Sequence, residues 1–131
     1  MQIALATAVD GGVPENVDRV KQALAAQGFG VLTEIDMAAT LKAKIGASME
    51  DYLILGACNP PAAHRAVNAE RQIGLLLPCN VVLRDDVEHP GRTLVEAMNP
   101  ELMVSVAGDD PELRTVADEV TVKLQAALDS L

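Results

Sequence analysis

Cys79-Asn80-Val81-Val82-Leu83-Arg84 and Arg92-Thr93-Leu94-Val95-Glu96-Ala97-Met98, joined through Glu88-His89-Pro90-Gly91, make up the stretch that decides the fold. Both arms are aliphatic and β-branched, and the connection between them holds a Pro-Gly turn. A link this short joins antiparallel strands, because a parallel pair needs a crossover of a dozen residues or more. Everything upstream alternates strand and helix, as a parallel α/β sheet would. The hairpin breaks that alternation. The expected order is β-α-β-α-β-α-β-β-α, in an α+β two-layer sandwich whose sheet is mixed or mostly antiparallel with helices packed on it. A small doubly wound fold is the alternative.

Working outward, residues 2–9 read as an apolar strand ended by Asp10-Gly11-Gly12. Pro14 and Glu15 then open a helix, since proline suits a first helical turn and an acid complements the positive end. Val13, Val17, Val20 and Leu24 form its stripe, and Gly28 stops it. Residues 29–35 read as a strand. Asp36 caps a helix to Ile45, with Met37, Leu41 and Ile45 on one face and Gly46 as terminator. Tyr52-Leu53-Ile54-Leu55-Gly56-Ala57-Cys58 is apolar at nearly every position, the pattern of a strand covered on both faces. Asn59 caps and Pro60 starts a helix to about Arg71. Residues 75–84 open on Leu75-Leu76-Leu77-Pro78 and run into the hairpin. After it, Asp110-Pro111-Glu112 begins a last helix with Leu113, Val116, Val120, Leu124, Leu128 and Leu131 as its stripe.

The 131 residues suit one domain spanning 1–131 with an ordinary core. Half the residues are hydrophobic, but Phe29 and Tyr52 are the only aromatics, so the core is aliphatic. Nineteen Asp and Glu against ten Lys and Arg give a net charge of −9. That excess disfavours a nucleic-acid partner and an anionic membrane surface, both of which need clustered cations. No cation precedes the apolar start at Met1-Gln2-Ile3, and no run reaches the roughly 20 apolar residues of a membrane span. A cytoplasmic protein is expected, with Cys58 and Cys79 reduced.

Those two cysteines frame the one region that carries chemistry. Leu55-Gly56-Ala57-Cys58-Asn59 and Leu76-Leu77-Pro78-Cys79-Asn80 both place Cys-Asn after aliphatic residues, with His64 one turn into the helix between them. If the two flanking strands are antiparallel neighbours, the thiols converge; if parallel, they lie at opposite ends. Converged, the group has three chemical uses. Thiolates and an imidazole suit Zn²⁺ or Cu(I), but no fourth ligand follows and no metal is assigned. Free N–H groups at the start of the helix after Cys58 would lower its pKa for redox or sulfur handling, with His64 carrying the proton. Third, Asn59 and Asn80 would hydrogen-bond a small ligand in a pocket held by Pro60-Pro61. The plain alternative is a pair of small hydrophobic core residues.

Other clusters have simpler roles. Asp36 and Asn59 have capping work, and Asp109-Asp110-Pro111-Glu112 lacks the spaced ligands and central glycine of a cation loop. Gly28-Phe29-Gly30 lacks the third glycine of a dinucleotide loop, and no Gly-x-Ser-x-Gly, His-Glu-x-x-His or P-loop occurs. No cofactor and no catalytic residue is assigned.

Four segments, Phe29 to Asp36 with Ala39 to Lys42, Tyr52 to Pro60, Leu76 to Val82, and Asn99-Pro100, together resemble the bacterial and archaeal "domain of unknown function 302" family in the same order over nearly the whole chain. The resemblance implies a small cytosolic α+β domain that forms a homodimer, and it brings no catalytic residues to carry over. The expected function is a small-ligand or partner-binding module with its site at Cys58, Asn59, His64, Cys79 and Asn80. The alternative is a thiol-based redox, sulfur-handling or soft-metal protein using Cys58, Cys79 and His64.

Overall fold

The computed structural model describes residues 2–131; Met1, at the head of the apolar start, lies outside them. Five strands form one sheet: β1 (Ala4–Asp10), β2 (Gly30–Asp36), β3 (Tyr52–Cys58), β4 (Cys79–Asp85) and β5 (Arg92–Met98). The helices are α1 (Val13–Ala26), α2 (Met37–Ile45), α3 (Pro60–Ala69), α4 (Glu101–Ala107) and α5 (Pro111–Asp129). The strand order is β1-β5-β4-β3-β2, and every neighbouring pair is antiparallel. The α+β reading therefore holds, and among the described residues the sheet has no parallel pair. Helix α1 follows β1 at one edge and leads to β2 at the other, while β2 to β5 follow one another as a meander.

Helices α1, α3, α4 and α5 share a core with one face of this sheet. Leu55, Val81, Leu83 and Val95 from the strands meet Val20, Leu24, Met103, Leu113, Val116, Val120 and Leu124, all buried. The period-two burial of β4 and β5 aims Cys79, Val81, Leu83 and Val95 at the helices and Asn80, Val82, Leu94 and Glu96 away from them. The stripes expected for the first and last helices are buried, with Val17 and Leu131 at their margins.

Three segments differ from the sequence reading. Leu75, Leu76 and Leu77 do not begin a strand: Arg71–Leu76 winds a 3-10 turn, Leu75 is 85% exposed, and β4 starts at Cys79 after a cis Leu77–Pro78 bond. Glu101–Ala107 is a helix with no expected counterpart, buried through Met103 and Val104. Helix α2 has the expected cap, with Asp36 accepting from the Ala39 N–H at 2.9 Å, but it buries no residue and Ile45 is 73% exposed. It joins two adjacent antiparallel strands and so needs no deep core face.

Candidate functional site

Strands β3 and β4 are antiparallel neighbours, with Ala57 opposite Cys79 and Gly56 opposite Asn80. The end of β3 therefore sits beside the start of β4, and Cys58 and Cys79 converge on one cavity of about 260 Å³. Its floor is Ala57, Cys58 and Cys79, and one wall is Ala62, Ala63 and Ala66 of α3. Met103 of α4 and Val116 and Val120 of α5 supply the opposite wall, and Leu77 and Pro78 close one end. Phe29 and Leu32 complete it. A register shift between Val31 and Thr33 leaves Leu32 without a ladder partner, and this bulge lets it reach the cavity.

The alanines make the space. Three small side chains on one face of α3 stand off from α5 where larger ones would fill the gap. Arg65, on the same helix, bridges Glu112 at 2.9 Å and Glu119 at 2.5 Å on α5, so an ion-pair clasp spans the two helices that wall the cavity. Both carboxylates hold the Arg65 pKa above its ordinary value.

Of the five residues singled out from the sequence, Cys58, Asn59 and Cys79 line the cavity. His64 is not among the lining residues; it is exposed on α3 and pairs with Asn68 at 3.2 Å. Asn80 faces away from the helices and lines a separate groove with Tyr52, Val82, Glu96 and Met98. Residues spaced evenly along the chain are thus split by the strand's period of two. Among the described residues, no group of three or more His, Cys, Asp or Glu is placed to hold a metal ion.

The chemistry available to the thiols follows from their setting. Cys79 is buried, and desolvation pushes its pKa up to about 11, with the nearby Cys58 adding to the rise. It is a neutral thiol at physiological pH. The start of α3 offers a thiolate no free backbone N–H within its first turn either. Pro60 and Pro61 have no N–H, the Ala62 N–H is taken by Asn59 Oδ1 at 3.2 Å, and the Ala63 N–H bonds the Asn59 carbonyl at 2.9 Å. The backbone donors expected at this helix start are absent, because the residues that start the helix so sharply remove or occupy them.

What sequence reasoning missed is the apolar wall. Phe29, Leu32, Met103, Val116 and Val120 read as ordinary core residues, and only the alanine spacing Ala62, Ala63, Ala66 hints at an unfilled face.

A search of curated proteins returns no match to this chain. Among solved structures, the crystal structure of the uncharacterized conserved protein DUF302 from Bacillus stearothermophilus superposes with a TM-score of 0.88, at 29% identity over 98% of each chain. The family model described as Domain of unknown function DUF302 matches residues 5–131, nearly the whole sheet-and-helix unit. The chain belongs to the DUF302 family.

Proposed function

We propose that this protein is a binding module for a small, uncharged, mainly apolar molecule held between α3, α5 and the β3–β4 junction. The observation that carries this is the lining of the cavity: among its fourteen residues Asn59 alone has a side-chain nitrogen or oxygen, and none is charged. Such a surface removes apolar area from water without a compensating charge, which favours neutral ligands. The high pKa of Cys79 and the blocked start of α3 support thiols that line a site over thiols that react. The test is a titration with methylenecyclohexane, followed by the Met103 methyl resonance and by alkylation of Cys58. Occupancy shifts the methyl and slows alkylation; no effect on either would refute the reading.

A second reading concerns assembly. Tyr52, Ile54, Val82 and Leu94 lie on the sheet face turned from the core helices, so β3 is apolar on both faces while the core covers one. We infer that a second copy covers this face. Its charges are balanced at the centre, where Arg84 and Glu96 pair at 2.6 Å, and a two-fold axis there would set each arginine near the partner's glutamate. Five strands about 4.8 Å apart and seven residues at about 3.3 Å each make a face roughly 24 by 23 Å. That footprint approaches the scale of a standard interface, about 800 Å² of accessible surface per partner. Sedimentation would show a dimer at micromolar concentration that Val82→Glu converts to monomer; a monomeric parent protein would overturn the inference.

A further inference from the structure

Asn59 is 6% exposed, and its two polar ends are in different situations. The cap assigns the amide orientation: Oδ1 accepts from the Ala62 N–H at 3.2 Å, which leaves Nδ2 as the end not used by the cap. Nδ2 has no acceptor among the hydrogen bonds of the described residues, and it is not one of the sealed polar atoms. Gly28, at φ +84°, stands next to it, and a Cβ built there would lie 3.1 Å from Nδ2. A glycine at this turn thus serves both the left-handed backbone and the clearance in front of the amide.

We propose that the cavity selects molecules bearing one hydrogen-bond acceptor, a ketone, ester or ether oxygen on an otherwise apolar frame, and that Asn59 Nδ2 donates to it. This rests on the cavity being a binding site. The argument is one of satisfaction: a two-donor amide on a residue only 6% exposed, in a cavity otherwise lined by apolar side chains and thiols, gains from an acceptor that arrives with the ligand. An anion would bring a charge into a lining with no cation, in a chain of net charge −9.

Cyclohexanone and methylenecyclohexane have the same shape and differ in C=O against C=CH2. In the parent protein the ketone should bind about five-fold more tightly, the worth of one ordinary neutral hydrogen bond. Asn59→Asp keeps an oxygen to cap Ala62 and removes the donor, and the ketone preference should then vanish or invert. Should that variant fail to fold, the Asn59 side-chain amide protons of the parent protein give the same answer, moving downfield with the ketone and not with the alkene. Binding of both probes with equal affinity, or a preference that survives Asn59→Asp, overturns the donor role and leaves the cavity reading intact. Binding of neither overturns both.

Discussion

Replacing Ala62 with Leu puts the size of the cavity to a direct test. Ala62 is 7% exposed and its side chain lines the space, so three added carbons have somewhere to go. Burying them contributes about 0.8 kcal/mol each, roughly 2.4 kcal/mol in all. Ordering a leucine side chain costs about 0.5–1 kcal/mol, and helix propensity is nearly neutral. The net expectation is a gain of about 1–2 kcal/mol, or roughly 4–8 °C in Tm for a chain of this length. If each carbon occupies about the volume of a water, roughly 30 Å³, the substitution removes about a third of the 260 Å³. Urea unfolding would give the stability at unchanged m-value, and the Met103 methyl would report binding of cyclohexanone. Ala62→Leu should stabilise the fold and weaken the probe at least ten-fold. A loss of more than about 1 kcal/mol, the signature of overpacking, would show that the space does not exist. Stabilisation with unchanged binding would place the probe elsewhere.

Three other outcomes are expected. At pH 8 a thiol with a pKa of about 11 is ionised in about one molecule in a thousand, so iodoacetamide should label half-buried Cys58 first and leave Cys79 until high pH or unfolding; equal labelling would contradict the burial of Cys79. Asp86 accepts from the Arg92 guanidinium at 2.9 Å and from the N–H groups of Glu88 and His89, and the Arg92 bond above all holds its pKa below the ordinary carboxylate value. The stabilisation is present above an unfolded-state pKa of about 3.9 and is lost as pH falls through the lower folded value. Urea midpoints should therefore drop below about pH 4 in the parent protein and less steeply in Asp86→Asn, whereas parallel acid limbs would count against the pair. Gly56→Ala sets a Cβ against Thr33 Oγ1 and 2.8 Å from Pro78 Cγ; it should cost about 1–3 kcal/mol, with partial recovery when Thr33→Ala is added, and a neutral result would mean the strands separate there freely.

Much of the fold is written in local chemistry. Asp36, Asn59 and Asp110 each begin a helix where a capping oxygen is needed, and each accepts from the N–H three residues on. The hairpin announced the antiparallel sheet because a short turn permits nothing else. Leu75-Leu76-Leu77 misled because an aliphatic run has no period of its own, and the 3-10 turn depends on Glu70 capping the Gln72 N–H and on Ile73 finding the core. Helix α4 went unread since its seven residues are too few to show a stripe. Of the site, adjacency of Cys58 and Cys79 hung on strand direction, which no local pattern encodes. His64 and Asn80 illustrate the reverse: close in sequence to the cysteines, they are carried off by helix rotation and by the pleat.

The position of β1 bears on how the chain is made. Strands β2 to β5 can zip together as successive hairpins, each partner arriving within a few tens of residues. β1 precedes those four strands, yet among the described residues its one partner in the sheet is β5, with Ala4 opposite Met98. It must wait, unpaired, until β5 exists about eighty residues later, and closing so long a loop is the slow kind of contact. The Asn99 side chain then bonds the Gln2 carbonyl at 2.9 Å, and the Asn99 N–H bonds that of Ile3 at 2.8 Å, a latch set after the strand docks. The meander can thus assemble during translation with the β5 edge still open; docking of β1 covers that edge and makes β1 the outer strand in its place.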